Sequence, residues 1–433
     1  MLFKQFHRNI QIRLLANFIS SLSYNMVLPF MSIYFAERLG TTKAGLLLSI
    51  SVIVSLVSGI YGGYFADRVG RKKLMIVSEG IWLISYTVMT IANSPWLSSP
   101  ILTFLMMILV SLCWGLFGPA SNAMILDVTG PDSRKFVYSL FYWSNNLSVA
   151  VGGIAGAFFF KAYLFELLMI LMGISLFTFL VTVFWIEETY DAKLLLERKQ
   201  TAVQGKGIFN MFHNYREVFR DSTFMLYMIA SLLIVSVEFH LMNYTAIRLA
   251  NEIPTQALFS WNGFRLSIDG VQMLGYLRTE NTLLVVVLSL AVLGMFRRFS
   301  DQKVLIAGFL LYVVGYSVVS YSSQPWVLLL SMLIATLGEV MYVPVNQAYL
   351  GVIAPEHARS SYLAVYSIVF KGAMLIGAFG ITLGGIFPDW LMSLLILSMV
   401  LAGVLIFAKL LPSLQERHIR QSAYEARAAS EGA

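Results

Sequence analysis

The chain has 433 residues, of which 58% are apolar and 12% are charged, and its mean hydropathy is strongly positive. This composition excludes an ordinary soluble domain and is typical of a protein that crosses a membrane several times. The formal net charge of +7 does not indicate nucleic acid binding, because the basic residues follow the loops between apolar runs.

Twelve apolar runs follow one another, and each is long enough for a helical crossing of a bilayer core about 30 Å thick. Backbone polar groups in lipid must be paired within the segment, so the runs predict helices. The predicted spans lie near 12–34, 42–66, 74–92, 101–126, 137–160, 163–186, 223–247, 273–295, 304–322, 326–350, 361–387 and 390–411.

The distribution of basic residues among the loops predicts the orientation of the protein in the membrane. Loops on the side of the N-terminus carry 23 of the 30 Lys and Arg residues, whereas five lie on the opposite side. Positive loops stay in the cytoplasm, so both termini are predicted to be cytoplasmic, with a basic face that suits anionic lipid. The single cysteine, Cys113, excludes an intramolecular disulfide.

The two halves of the chain resemble each other. "NAMILDVTGPDSR" at 122–134 matches "NQAYLGVIAPEHAR" at 346–359, and "RVGRKKLMI" at 68–76 matches "RFSDQKVLI" at 298–306. We therefore predict two pseudo-symmetric six-helix halves, 1–186 and 222–411, joined by a cytoplasmic linker at 187–221 and followed by a cytoplasmic tail at 412–433. Such repeats are typical of secondary transporters that bind substrate near the midplane between the halves.

The loop "GGYFADRVGRKK" at 62–73 carries the most specific motif. Its Gly-x-x-x-Asp-Arg-x-Gly-Arg-Lys order resembles the signature loop of the major facilitator superfamily. Together with "NAMILD", "YWSNNLSV" and "TLGEVMYVP", it makes the chain similar to the drug:proton antiporter branch, including a lactococcal member. The resemblance implies an all-α membrane protein with the major facilitator fold and twelve transmembrane helices.

The resemblance also implies a gating latch, in which the signature aspartate caps a helix of the other half and Arg71 pairs with Asp127. Such a latch biases the equilibrium between two access states and does not contact substrate. For Arg71 and its neighbours alone, a basic loop that follows the positive-inside rule remains the alternative. The predicted latch residues are Asp67, Arg68, Gly70, Arg71 and Asp127.

Glu339 lies about halfway along the tenth run, where an unpaired ionised carboxylate costs several kcal/mol. A carboxylate there that gains and loses a proton would couple transport to protons, and the lactococcal member has a transport-relevant glutamate in the matching segment. The alternative is a glutamate held permanently by neighbouring hydroxyl groups.

The seventh run contains "SVEFHLMNY", which contributes a second acid, Glu238. Glu238 and His240 lie on nearly opposite faces of an ideal helix, so they become partners only if the helix is broken there. We predict that Glu238 assists Glu339 in proton coupling, and that His240 either lines the substrate cavity or is a hydrogen-bonded packing residue. Lys371, in the eleventh run, either extends to the interface or serves as a counter-ion.

A cavity for amphipathic compounds needs aromatic walls and a few adaptable polar groups. Besides His240, the predicted cavity residues come from the first and fifth runs and are Asn17, Tyr24, Asn25, Tyr142, Trp143, Asn145 and Asn146. Arg278 and Glu280, near the start of the eighth run, are interpreted as an interfacial charge set, and Glu79 as an interfacial structural residue. Phe141 occupies the position where the lactococcal member has an aspartate. This difference bears on the number of protons transported per cycle more than on the fold.

These patterns predict a monomeric, proton-coupled exporter of amphipathic drugs or toxic compounds in the bacterial inner membrane. A proton-coupled carrier of one small metabolite and a non-transporting membrane sensor on the same fold remain the alternatives. The sequence has no phosphate-binding glycine loop and no Cys or His spacing of a metal site. We accordingly expect no enzymatic activity, cofactor, metal or nucleic acid partner.

Overall fold

The computed structural model describes residues 6–129, 131–189, 218–262, 264–295, 299–353 and 359–431. Most of the predicted linker, 190–217, and the last two residues of the tail lie outside this part of the chain. The side chain of Asp67, a predicted latch residue, also lies outside the description.

Helices dominate the described chain. Its first elements are α1 (Arg8–Val27), a 3-10 turn (Leu28–Phe30), α2 (Met31–Leu39), α3 (Thr41–Val69), α4 (Arg71–Ala92), β1 (Asn93–Ser94), β2 (Leu97–Ser98), α5 (Pro100–Asp127), α6 (Pro131–Phe159) and α7 (Leu164–Trp185). They are followed by α8 (Ser222–His240), a π-helical segment (Leu241–Thr245), α9 (Ala246–Glu252), β3 (Gln256–Trp261), β4 (Phe264–Ile268), α10 (Gly270–Met295), α11 (Asp301–Tyr321), α12 (Pro325–Ile353), α13 (Arg359–Gly384) and α14 (Asp389–Glu431). The strands form two antiparallel hairpins, β1–β2 and β3–β4.

Ten helical segments in the described residues are long and apolar enough to cross a bilayer. The seventh predicted run is one of them, as the continuous segment Ser222–Glu252. The fifth and eighth runs form helices α6 and α10, which are not among the ten. The structure therefore confirms a helical protein with many spans, whereas the count of twelve stays a prediction.

Proline and glycine residues explain where several helices end and the next ones begin. Pro29 lies in the 3-10 turn that separates α1 from α2, because proline has no N–H group to continue the helix. Gly40 and Gly70 have positive φ angles of 84° and 99°, which favour glycine, and each ends one helix directly before the next begins.

The chain forms two compact units. Unit 1 comprises residues 1–204, 242–282 and 378–386, and unit 2 comprises 205–241, 283–377 and 387–433. Unit 1 therefore contains segments from both predicted halves, whereas unit 2 contains parts of the linker, the C-terminal half and the tail. The predicted boundaries at 186 and 222 remain predictions.

In unit 1, α5 packs against α3 and α4, and α1 packs against α6 and α7. A Cβ atom on Gly62 would lie 2.7 Å from the carbonyl oxygen of Gly115, so small residues permit the close contact of α3 with α5. In unit 2, α11 packs along α12, and a Cβ atom on Gly308 would lie 2.9 Å from the carbonyl oxygen of Gly338. This close packing of α11 and α12 fixes the side chains around Glu339.

Candidate functional site

Two acidic residues of unit 2 interact with each other. Glu238 lies two residues before the end of α8, and Glu339 lies in the middle of α12. Both side chains are partly exposed, and their carboxylates interact electrostatically. The structure thus brings together the two residues that the sequence analysis selected for proton coupling.

Tyrosines surround this pair of carboxylates. The Tyr312 hydroxyl lies 3.4 Å from Glu238 Oε1, in position to donate a hydrogen bond to it. The Tyr312 ring lies 4.7 Å from the Tyr316 ring and 5.1 Å from the Tyr342 ring, centroid to centroid. All three tyrosines are almost fully buried, and all interact electrostatically with both carboxylates. We call these five residues the carboxylate–tyrosine cluster.

The helix changes geometry directly after the cluster. α8 ends at His240, and the π-helical segment begins with the next residue. Such segments occur frequently at functional sites. His240 is buried, and neither ring nitrogen has a hydrogen-bond partner among the described residues.

A polar network in unit 1 connects three of the predicted cavity residues to Arg278. Arg278 Nη2 lies 3.3 Å from Asn25 Oδ1, and Asn25 in turn donates to the Ser21 carbonyl at 2.8 Å. The Ser21 hydroxyl donates to Asn145 Oδ1 at 3.1 Å. Tyr24 interacts electrostatically with Arg278.

Arg278 is buried among the helices of unit 1, and its interpretation as part of a charge set at the membrane interface stays a prediction. Only 5% of Arg278 is exposed, since α10 places it against α1. Of the other predicted cavity residues, Tyr142 and Trp143 are exposed, whereas Asn17 and Asn146 are half-buried. The structure does not show these four residues contacting Arg278.

The signature loop is bound to the end of α5. Arg71 forms an ion pair with Asp127 and also donates from Nη1 to the Ala123 carbonyl at 3.0 Å. The Thr189 hydroxyl donates to Asp127 Oδ2 at 2.8 Å. Arg68 is exposed. The structure thus contains the ion pair that the resemblance implied, while its role in gating stays a prediction.

Glu188 is a further residue of this region that the sequence analysis missed. Its carboxylate accepts hydrogen bonds from the backbone N–H groups of Arg71 at 3.2 Å and Lys72 at 3.0 Å, the first residues of α4. A carboxylate at this position accepts from backbone N–H groups that have no acceptor within the helix. Its negative charge also interacts favourably with the positive end of the helix dipole. A Cβ atom at Gly70 would lie 2.8 Å from Glu188 Oε2, so a larger residue there would displace the Glu188 carboxylate.

A buried ion pair, also missed from sequence, lies deeper in unit 1. Arg13 Nη1 of α1 is 4.0 Å from Glu79 Oε1 of α4, and both side chains are buried. Arg13 also donates to the Ser121 hydroxyl and lies over the Phe117 ring, 5.0 Å from its centroid. Glu79 is therefore part of the core of unit 1, while its interpretation as a structural residue at the membrane interface stays a prediction.

Within the described residues, no group of three or more His, Cys, Asp or Glu residues could hold a metal ion. The chemistry that this geometry offers is the binding of protons, small cations or polar substrate groups by buried charges. Comparison with known proteins identifies the family.

The sequence model of the Major Facilitator Superfamily matches residues 13–296 and 258–431. The chain belongs to the major facilitator superfamily. As a member of this family of transporters it is not an enzyme. The predicted resemblance to the drug:proton antiporter branch is confirmed by the family match and by antiporter and multidrug relatives.

Two curated relatives cover most of this major facilitator protein. A Na(+), Li(+), K(+)/H(+) antiporter of Planococcus maritimus is 32% identical over 383 residues, which cover 88% of this chain and 90% of the relative. Multidrug resistance protein MdtH of Sodalis glossinidius is 25% identical over 380 residues, covering 86% of this chain and 84% of the relative.

Solved transporter structures share the fold. A crystal structure of the peptide transporter POT in complex with sulfate has a TM-score of 0.71 at 16% identity, and the match covers 95% of each chain. A crystal structure of the nucleoside transporter NupG has a TM-score of 0.69 at 14% identity, covering 94% of this chain and 99% of the other. At these identities the likeness shows the fold and nothing about substrate.

Proposed function

We propose that the chain is a proton-coupled antiporter that exchanges protons for monovalent cations across the bacterial cytoplasmic membrane. The carboxylate–tyrosine cluster is the exchange site. In this proposal α6 and α10 also cross the membrane, which gives twelve spans with both termini in the cytoplasm, and the protein acts as a monomer. A 26-residue helix such as α10 is about 39 Å long, which exceeds the apolar core of a bilayer.

The observation that carries the proposal is the electrostatic interaction between Glu238 and Glu339. Two carboxylates that interact in this way repel each other when both are ionised, and partial burial weakens solvent screening. Either a proton or a small cation bound between them removes the repulsion. Because the two ions relieve the same repulsion, they compete for one site, and this competition is the physical basis of antiport.

The ligand chemistry supports a monovalent inorganic cation. Carboxylate and hydroxyl oxygens are hard ligands, which hard cations prefer. The Planococcus maritimus relative, which is 32% identical to this chain, is a Na(+), Li(+), K(+)/H(+) antiporter and supports the same class of transported ion. The latch around Arg71 and Asp127 would bias the access states between which the loaded cluster moves.

The test uses everted membrane vesicles from cells without their main sodium/proton antiporters. Respiration acidifies the vesicles, and a fluorescent amine reports the pH gradient. We expect added Na⁺, Li⁺ or K⁺ to collapse the gradient with wild-type protein, and Glu339→Gln to abolish this response. Glu166→Gln makes the same chemical change at an exposed acid and serves as the matched control.

Two results would refute the proposal: a wild-type response no larger than that of empty vesicles, or an unchanged response in Glu339→Gln. Tyr312→Phe provides a finer test, because it removes the hydroxyl beside Glu238 and keeps the buried ring. It should raise the cation concentration needed for half-maximal response about tenfold or more, since a hydrogen bond to a charged group is worth roughly 1.5 kcal/mol or more.

A second candidate function is export of amphipathic organic compounds in exchange for protons. Trp114 favours it, since this ring packs at 5.6 Å against Tyr24, a predicted cavity residue, and 46% of it is not covered by other residues of the protein. The relatives named multidrug resistance protein MdtH also support organic compounds as the transported substrates.

Efflux of ethidium or Hoechst dye, with and without a pH gradient, tests this second function. Wild-type protein should extrude dye only with a gradient, and Glu339→Gln should not. Wild-type protein that moves neither dye would eliminate drug export, and saturable transport of a narrow set of solutes would then favour the metabolite carrier. A membrane sensor would keep its activity without Glu339.

A further inference from the structure

Arg278 is a buried cation with unused hydrogen-bonding capacity. It is 5% exposed, and its Nε and Nη1 atoms have no partner among the described residues. Its Nη2 makes a long bond of 3.3 Å to a neutral acceptor, Asn25 Oδ1. None of the ion pairs between described residues includes Arg278. A buried arginine is costly unless an anion or several acceptors satisfy it.

The surrounding structure holds Arg278 in this position. The neighbouring Thr279 donates to the Ala150 carbonyl of α6 at 3.2 Å, which fixes α10 against α6. Asn25 is itself oriented by its bond to the Ser21 carbonyl, so its Oδ1 is directed at the guanidinium group. The cation is thus fixed before any ligand binds, which lowers the entropy cost of recognition.

A group of aromatic rings is linked to Arg278 through Tyr24. Tyr24 interacts electrostatically with Arg278, and its ring meets Trp114 edge to face at 5.6 Å. Trp114 packs in turn against Trp82 at 5.6 Å. Arg278 and this group together offer one positive charge next to aromatic rings, which matches a ligand with an anionic group attached to a ring.

We propose that Arg278, Asn25, Tyr24 and Trp114 form a recognition site for aromatic carboxylates, with the carboxylate on the guanidinium group and the ring of the ligand against this group of aromatic rings. Arginine suits this ligand because its planar guanidinium group can bind both carboxylate oxygens at once. The proposal defines the substrate class of the second candidate function and rests on it.

The test is a binding measurement on the purified full chain in nanodiscs of neutral phosphatidylcholine, so that no anionic lipid competes. Pyrenebutyrate and pyrenebutanol share one ring system and differ in the carboxylate, and both accept energy from tryptophan emission. We expect wild-type protein to bind pyrenebutyrate more tightly. Arg278→Gln should weaken pyrenebutyrate binding about tenfold or more and leave pyrenebutanol binding unchanged.

Two variants complete the design. Arg278→Lys keeps the charge but loses the planar group, so it should weaken pyrenebutyrate binding less than Arg278→Gln does. If Arg278→Gln does not fold, the comparison of Arg278→Lys with wild-type protein still tests the proposal. Arg38→Gln removes an exposed arginine of α2 and should change nothing.

Equal binding of the two probes by wild-type protein would overturn the proposal. A wild-type preference for pyrenebutyrate that persists in both Arg278 variants would overturn it as well. Glu339→Gln separates this result from the transport function, because that variant should bind pyrenebutyrate normally while failing to exchange protons. Failure of the vesicle assays with normal binding would refute the proposed antiport and not the recognition site.

Discussion

The buried ion pair between Arg13 and Glu79 allows a sharp prediction about stability. Arg13 is 5% exposed and Glu79 is 4% exposed, so neither charge is well solvated. Replacing one member with an apolar residue leaves the other charge buried without its partner. Replacing both removes the charges together. The two kinds of variant should therefore differ in stability by several kcal/mol.

The distance between the charged atoms sets the magnitude. At 4.0 Å, Arg13 Nη1 and Glu79 Oε1 attract each other by about 4 kcal/mol when the effective dielectric constant is about 20. Loss of one partner of a buried pair costs about 3–5 kcal/mol, which agrees with this value. Replacement of both partners by apolar residues is often neutral, because the desolvation cost of the two charges disappears.

The variants are Arg13→Met, Glu79→Leu and the double substitution. Each is fused to a fluorescent protein, heated in detergent and assayed for monodisperse protein by size-exclusion chromatography. Each single variant should lose its folded peak at a markedly lower temperature than wild type, whereas the double variant should recover most of the difference. Arg38→Met, at an exposed arginine, should behave like wild type.

A double variant as unstable as the sum of the two single variants would refute this reasoning. It would mean that Arg13 and Glu79 act independently, and that Ser121 and Thr182, their other hydrogen-bond partners, carry the stabilisation. Single variants as stable as wild type would show that water solvates the remaining charge.

Two further predictions concern the contacts that hold helices in place. Glu188→Ala removes the hydrogen-bond acceptor at the start of α4 and should destabilise that helix end by about 1 kcal/mol. Amide hydrogen exchange in the first turn of α4 should then be about fivefold faster. The control variant Glu187→Ala should leave this exchange rate unchanged. Gly275→Leu places a side chain where even a Cβ atom would overlap Ala157, so α10 should separate from α6. A cysteine introduced at the buried Thr279 should then react with maleimide faster than in the parent, and an equal rate would contradict the packing.

Membrane character and family could be predicted from sequence because their signals are local. The length of the apolar runs follows from bilayer thickness, and the signature loop is one short continuous motif. The same holds for Glu238 and Glu339, since an acidic residue in an apolar run is conspicuous without knowledge of its neighbours. The structure adds that these two carboxylates interact, which their separation in sequence does not reveal.

The changes in helix geometry were harder to predict. Pro29 indicates a break, but the π-helical segment after His240 has no such residue, and "LMNYT" contains neither proline nor glycine. The β3–β4 hairpin between α9 and α10 was also not predicted from the sequence. Packing with neighbouring segments decides such features, so they depend on the whole fold.

The sequence by itself determined the membrane-spanning helices, the family and the acidic residues suited to ion coupling, since each depends on a short stretch and on the solvent around it. Only the tertiary structure decided which charges are paired. Asn25 and Arg278 are 253 residues apart in the chain, yet helix packing places them within hydrogen-bonding distance. A buried charge takes its role from the neighbours that replace its hydration, and those neighbours are assembled by the fold.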